Sequence, residues 1–312
     1  MSGFVVFLVR WAVLLRHPRL SYWYRKVDRF KRLPNPANPM TMNDKYYWRK
    51  IFDRSPEFIE ISDKLRIRGW LEKNQIHIDA PAIIWTGKDP SDMPGDVLAR
   101  GVVVKVNHGS GTNIILHDAP PDRASLDRQL RKHLRKRHGR KRLEWRYFGI
   151  TPKLLVETFI PGLTTEFKVY TFGDRIERLV IIYDRFTDEL ADVWLPDGQG
   201  GWAYFGGAAA VEKRANRPLP VNTHEALEIS RQIGRHFDHM RVDILSGAGK
   251  IWFSEFTIYN MGGYLPFVGD VPDEPVNTSW DLCTSWFLST PQTGWRKIYA
   301  NSLRDVIGSH ET

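Results

Sequence analysis

Residues Val102 to Asp118 read V-V-V-K-V-N-H-G-S-G-T-N-I-I-L-H-D. The β-branched run Val102-Val103-Val104 has the character of a buried strand, and Ile114-Ile115-Leu116 forms a second after the loop. Between them, Gly109 and Gly111 give the backbone conformations closed to other residues, so that successive N–H groups around His108 and Ser110 can converge on an anion. Lys105 at the end of the first strand supplies a point charge. The pattern predicts a hairpin that cradles a nucleotide polyphosphate. The competing reading is an ordinary glycine-rich turn.

The rest of the chain sets bounds on that reading. With 312 residues, 42% hydrophobic and 12% aromatic, the protein can bury a substantial core as one large domain or two to three lobes. Its one cysteine, Cys283, excludes an internal disulfide framework and a multi-cysteine metal site, points to a reducing cytosolic compartment, and is expected to be a small buried hydrophobe. A net charge of +9 favours an anionic partner such as a nucleotide, nucleic acid, an acidic polysaccharide or a membrane surface.

Toward the N-terminus, Ser62-Asp63 predicts a cap for a helix over Lys64–Glu72, and Asn43-Asp44 a cap for a helix that buries Tyr47, Trp48, Ile51 and Phe52. Leu33 to Pro39 is proline-rich and reads as a linker. Phe4 to Leu15 is apolar apart from Arg10 and is followed by Arg16, His17 and Arg19. It is shorter than the roughly 20 residues of a membrane span and lacks the charge order of a signal peptide. Two readings stand: a helix packed on the protein's own body, or an interfacial contact of residues 4–26 with the inner face of the plasma membrane.

Toward the C-terminus, residues 119–142 are strongly basic, with Leu126, Leu130 and Leu134 as a buried stripe. No interleaved aromatic residues are present to stack bases, so nucleic acid is not an expected partner; the run is a solvated face, or a contact for an anionic polymer or headgroup. Lys153 to Ile160 reads as a buried strand whose Glu157 needs an ion-pair partner or a ligand. Glu166 to Phe172 alternates, placing Glu166, Lys168 and Tyr170 on one face, and Leu179 to Tyr183 returns beside it. Gly198 to Gly207 reads as a surface loop or lid, and Thr223 as a helix cap.

The last hairpin pairs Arg241–Leu245 with Lys250–Thr257 across Ser246-Gly247-Ala248-Gly249. Period-two alternation puts Arg241 with Asp243, and Glu255 with Thr257. If these faces coincide, two carboxylates and a guanidinium converge, an oxygen-only set suited to Mg²⁺ held with phosphates. A structural Arg–carboxylate cluster is the alternative. No GxSxG, HExxH or GxxxxGK[ST] motif occurs.

In order, N-D-K-x-x-W-R-K (Asn43–Lys50), D-K-x-x-x-R (Asp63–Arg68), K-x-N-H-G-S-G (Lys105–Gly111), E-x-x-I (Glu157–Ile160), F-K-x-Y-x-F-G (Phe167–Gly173), R-V-D (Arg241–Asp243) and E-F-T (Glu255–Thr257) resemble the ATP-grasp superfamily, most of all its teichuronopeptide-biosynthesis (TupA-like) branch. The likeness covers Met42 to Gly263. It implies an α+β ATP-grasp fold with two α+β lobes holding ATP between them. The segments would be an N-terminal helix and linker (1–40), a short N-terminal lobe (41–97), a lobe with the glycine-rich hairpin (98–160) and a C-terminal lobe with the metal-binding hairpin (161–312).

The resemblance also implies roles. Lys64 and Lys105 would contact the α- and β-phosphates, with His108, Gly109, Ser110 and Gly111 closing over the triphosphate. Glu157 and the backbone near Ile160 would lie at the adenine, Glu166 at the ribose, and Lys168 beside the nucleotide. Asp243 and Glu255 would bind Mg²⁺, and Arg241 would join Lys105 in stabilising the transferring phosphoryl group. Many ATP-grasp enzymes place Asn two residues after the second metal-binding Glu; Thr257 stands there in this chain. The implied activity is ATP-dependent C–N ligation through an acyl phosphate. The carboxylate would be a uronic acid of a cell-surface polysaccharide or its precursor and the amine an amino acid. A non-catalytic nucleotide-binding protein of a membrane-associated polysaccharide-assembly complex, or an ATP-grasp kinase, are the alternatives.

Overall fold

Valine- and isoleucine-rich segments assemble into two antiparallel sheets. In the computed structural model, β1 (Ile83–Gly87), β2 (Val102–Val106), β3 (Ile114–Leu116) and β4 (Leu154–Thr158) form a four-stranded sheet in the order β1-β4-β2-β3. Strands β5 (Thr165–Phe172), β6 (Arg175–Tyr183), β7 (Leu190–Pro196), β8 (Trp202–Gly206), β9 (Met240–Gly247) and β10 (Lys250–Thr257) form a six-stranded sheet in the order β10-β9-β5-β6-β7-β8. All residues are described except 28–30, 99–100, 117–121, 185–186, 207–213, 266–273 and 310–312.

The hairpin read from Val102 onward is present, with Val102 opposite Leu116 and Val104 opposite Ile114. Helix α6 (Arg123–Arg135), capped by Asp122, lays Leu126 and Leu130 on Val102, Val104, Val106, Leu154 and Val156, which explains the apolar stripe beneath its basic surface. On the larger sheet, α7 (Thr223–Gly234) buries Ala226, Leu227 and Ile233. Its N-cap is Asn222, with Thr223 already in the first turn and its hydroxyl turned back to the Pro220 carbonyl at 2.6 Å.

Helices α1 (Ser2–Arg16) and α2 (Pro18–Val27) precede α3 (Met42–Ile51), which is buried along nearly its whole length. Thr41, not Asn43-Asp44, caps α3: its hydroxyl accepts from the Asp44 N–H at 3.3 Å and donates to the Asp44 carboxylate at 3.0 Å. Asn43 instead clamps both backbone polar groups of Leu265. Lys45 donates to the Asn277 and Trp280 carbonyls at 2.5 Å. The fully buried Arg49 bridges Asp53 at 3.1 Å, the His239 carbonyl at 3.0 Å and the Asp238 carboxylate. The N-D-K-x-x-W-R-K segment is therefore a brace from the N-terminal third to the entry of β9 and to the chain after β10.

A single turn, α4 (Glu57–Glu60), leads to α5 (Ile67–Lys73), which starts three residues later than the spacing predicts. Asp63 folds its carboxylate onto the Leu65 N–H at 3.0 Å, making a turn there instead of a cap. Within residues 41–97, α3 bonds to residues after β10 and at the entry of β9, and β1 pairs with β4. Beyond the hairpin lie α8 (Glu274–Ser279), α9 (Trp286–Ser289) and α10 (Gly294–Gly308).

Helix α1 packs on α10, where Ser2 donates to Asp305 at 2.7 Å, and buries Val6, Val13 and Leu14. The linker around Pro34–Pro39 is pinned down, because Tyr299 donates to the Ala37 carbonyl at 3.1 Å and the Asn35 N–H to Asp44 at 2.9 Å. Two expectations are corrected. Trp202–Gly206 is strand β8 at the edge of the larger sheet and not loop, its Trp202, Tyr204 and Phe205 having the β-propensity that outweighs the flanking glycines; Gly207 lies outside the described residues. Cys283 is exposed, in a turn whose Asp281 side chain accepts from its N–H at 2.8 Å. Among the described residues no helix is long and apolar enough to cross a membrane.

Candidate active site

Strand β2 carries Lys105 as its penultimate residue, and the ammonium lies 2.5 Å from the Glu157 carboxylate on β4. Arg68 of α5 reaches the other Glu157 oxygen at 3.1 Å, so the buried carboxylate predicted to need a partner has two. The following loop is held from three sides by Asn107. Its amide donates to Asp63 at 3.0 Å and to the Thr151 carbonyl at 3.1 Å, and its oxygen accepts from the Lys153 N–H at 2.7 Å. Asp63 and His108 form a β-bridge that brings Lys64 to the loop, where its ammonium donates to the Gly109 carbonyl at 2.5 Å. Burial lowers the Lys64 pKa, with Lys105 and Arg146 acting in the same direction and Glu255 opposing.

Gly109 has φ +103°, and a Cβ there would overlap the His138 ring; Gly111 has φ +68° with open space around it. The first glycine is thus required twice over, by conformation and by the close approach of His138. Next to His138 stands the half-buried Tyr147, whose phenol pKa is raised to about 12 by loss of solvent. Ile160 lies just past β4 and packs on Gly247 at the end of β9, so the segment from Glu157 to Ile160 carries the chain from the smaller sheet to the larger.

On the larger sheet the register places the other candidates in one patch. Lys168 is opposite Asp243, Tyr170 opposite Arg241, Asp243 opposite Glu255 and Arg241 opposite Thr257. The predicted faces therefore coincide. Arg241 donates through Nε and Nη2 to Asp243 at 2.7 and 2.5 Å, and through Nη2 to the Thr257 hydroxyl at 3.0 Å. Burial acts to lower the Arg241 pKa, but the Asp243 carboxylate overrides it and raises the value. Lys168 stands between Glu166 at 2.8 Å and Asp243 at 3.6 Å. Lys64 from the first group and Glu255 from the second line one small cavity, of about 20 Å³, together with Arg146 and Tyr147. The two groups thus face each other across the junction of the sheets.

Residues 44–276 match the family model of the TupA-like ATPgrasp proteins. The chain belongs to that family. Its two sheets are accordingly the two halves of an ATP-grasp fold. No curated protein sequence matches it. Among solved structures it resembles D-alanine–D-alanine ligase from Bacillus anthracis complexed with ATP, at 16% identity over 64% of this chain and 53% of that one, with a TM-score of 0.36. L-amino acid ligase from Bacillus licheniformis aligns at 15% identity over 67% of this chain and 44% of that one (TM-score 0.38). D-alanine–D-alanine ligase from Helicobacter pylori aligns at 12% over 85% and 70% (TM-score 0.38). The chain spans about half the length of the first of these.

Within this ATP-grasp chain, no three His, Cys, Asp or Glu side chains among the described residues form a ready metal site. Asp243 and Glu255 are nevertheless adjacent across the β9–β10 ladder, and a carboxylate offers about four lone-pair positions, so the Arg241 fork leaves Asp243 with acceptor capacity. That donor set fits Mg²⁺ carried in with phosphates, and not a cage made by the protein alone.

Two residues at the site escaped the sequence. Asn260 accepts from Arg241 Nη1 and donates to the Tyr170 hydroxyl, fixing the far side of the guanidinium. Its place in a 3₁₀ turn after β10 gives it no periodicity to detect. Arg146 is buried, donating to the Phe256 carbonyl at 3.4 Å and Tyr147 at 2.7 Å. In the sequence it follows a long basic run, from which only tertiary packing separates it.

Proposed function

We propose that this ATP-grasp protein is an ATP-dependent carboxylate–amine ligase. A carboxylate oxygen takes the γ-phosphoryl group, releasing ADP, and an amine then attacks the acyl carbon and expels inorganic phosphate. The proposed substrates are a uronic acid of a cell-surface polysaccharide or its precursor and an amino acid, with the reaction on the cytoplasmic side of the envelope where ATP is supplied. The basic surplus of the chain suits such an acceptor.

The observation that carries the reading is the engagement of Asp243 by Arg241. A kinase needs a base to take the proton of an attacking hydroxyl. Here the Asp243 oxygens already accept from Nε and Nη2 of Arg241, with Lys168 beside them. A carboxylate nucleophile needs no base, and a fixed planar cation suits charge passing from a phosphoryl group to a tetrahedral oxyanion.

In this reading Lys64 and Lys105 bind the phosphates, and the loop His108, Gly109, Ser110 and Gly111 covers them. Glu157, besides holding Lys105, borders the adenine with the backbone near Ile160; Glu166 takes the ribose and Lys168 orients the phosphates. Asp243 and Glu255 would hold Mg²⁺, which when bound neutralises phosphate charge. Arg241, whose guanidinium is held by Asp243, Thr257 and Asn260, would stabilise the transferring phosphoryl group.

The test is the fate of the phosphate. Across a panel of uronic acids and amino acids, ADP and inorganic phosphate should appear only when both substrates are present, and hydroxylamine should replace the amine and yield a hydroxamate. A stable phosphorylated sugar without hydroxamate would make the protein a kinase. Arg241→Lys keeps the charge and loses the planar fork, so it should depress ligation far more than ATP binding.

A further inference from the structure

Helix α1 has two faces with different surroundings. Val6, Val13 and Leu14 are buried against the body, while Phe4, Phe7, Leu8, Trp11 and Leu15 point the other way and are between 42% and 79% exposed. Their spacings of three, one, three and four place them in one continuous stripe along the helix. Helix α10, packed on α1, exposes Trp295 and Ile298 of its own, at 60% and 59%. Single exposed apolar residues are ordinary on a protein surface; a stripe of large ones covering a helix face is not.

The charge carried by α1 and α2 has one sign. No Asp or Glu occurs before Asp28, and Arg16, Arg19, Arg25 and Lys26 are all exposed at the end of α1 and along α2. Beside them Tyr22 is 64% exposed against Trp23, over which Lys26 lies at 5.2 Å. At 15 residues α1 is about 22 Å long, too short to cross a bilayer.

We propose that the outer face of α1, with the basic end of α1 and α2, is a docking surface for an anionic lipid bilayer, α1 lying in the plane of the interface. Phe, Leu and Trp side chains enter the boundary of headgroups and acyl chains while the Arg and Lys groups meet lipid phosphates, the division of labour of an interfacial amphipathic helix. Charge favours lipid over a second copy, because α1 and α2 present Arg16, Arg19, Arg25 and Lys26 with no carboxylate of their own to pair with them across a two-fold axis, and Asp305 beside the start of α1 is already taken up by Ser2. The inference stands apart from the ligase reading, since none of these residues lies at the site.

The experiment is cosedimentation of the full chain with vesicles of phosphatidylcholine alone or mixed with phosphatidylglycerol. Binding should require the anionic lipid and weaken with salt. Phe7→Ser with Trp11→Ser, and separately Arg16→Glu with Arg19→Glu, should each weaken it at least tenfold, given roughly fivefold for each basic residue lost near a charged surface. Melting temperatures should stay unchanged, as these side chains are exposed. The proposal is overturned by failure to bind either vesicle, by equal binding to both, by variants that bind as the parent does, or by a concentration-dependent dimer that the Phe7/Trp11 variant dissolves.

Discussion

Arg241 and Asp243 stand two residues apart on one face of β9 and are joined by two parallel hydrogen bonds of 2.7 and 2.5 Å. The pair is both a scaffold and a working part, so the two roles must be separated by the choice of substitution. Asp243→Ala leaves a buried guanidinium without its carboxylate and should cost about 3–5 kcal/mol of stability. Asp243→Asn keeps the shape and an acceptor and should cost clearly less, while abolishing turnover as completely. Urea denaturation alongside a turnover assay measures both; an Ala variant as stable as the parent would mean that the pair contributes nothing to folding.

The glycine loop makes an asymmetric prediction. ATP with Mg²⁺ should raise the melting temperature, because a ligand of the folded state alone adds about 2.7 kcal/mol at a hundredfold excess over Kd. Gly109→Ala should erase most of that shift, since its methyl meets His138 and its φ is +103°. Gly111→Ala faces open space and pays only for its φ of +68°, so the shift should largely survive. Equal losses in both variants would argue against His138 as the reason for glycine at 109.

Arg49 tests the brace. It is fully buried between Asp53 and Asp238, so Arg49→Met strands two carboxylates and should destabilise the protein by about 3–5 kcal/mol. Conditions that keep the variant folded should restore nucleotide binding, because Arg49 has no contact with the loop. Loss of nucleotide affinity in a variant shown to be folded would assign α3 a direct role.

Lys50 predicts a pH dependence. Burial lowers its pKa to about 7, with Glu144 opposing and Arg142 and Arg146 assisting, while its ammonium donates to the Gly262 carbonyl at 2.6 Å. The folded value lies below the unfolded one, so between pH 7 and about 10 the unfolded chain holds more protons, and this residue makes stability rise with pH across that window. Below pH 7 both states are protonated and its contribution no longer changes. Lys50→Met should flatten the rise, read as the difference in unfolding free energy at pH 7 and pH 9.5; an identical slope would mean that Lys50 is not the titrating group.

Several features were legible in the residues because they depend on local rules. The valine strand, the glycine turn and the alternation of Arg241 with Asp243 follow from backbone sterics and a period of two. The buried stripe on α6 was equally plain, as Leu126 and Leu130 repeat at helical spacing. Cap positions slipped by one or two residues at Thr41 and Asn222, since several neighbouring polar residues compete for one end. Strand β8 was missed because its glycine-rich flanks hide a run whose aromatic residues gain from pairing with β7.

What the sequence determined by itself was the chemistry of each strand face and the order of the motifs, which suffices to recognise the ATP-grasp family. Only the tertiary structure decided that Asp243 faces Glu255, that Glu157 is held by Lys105 and Arg68, that Asn260 fixes Arg241, and that Asn43, Lys45 and Arg49 brace the fold. The reason is physical: periodicity encodes which way a side chain points, but the partner of a buried charge is chosen by register and by chain crossings between residues as far apart as Arg49 and Asp238, which no local pattern records.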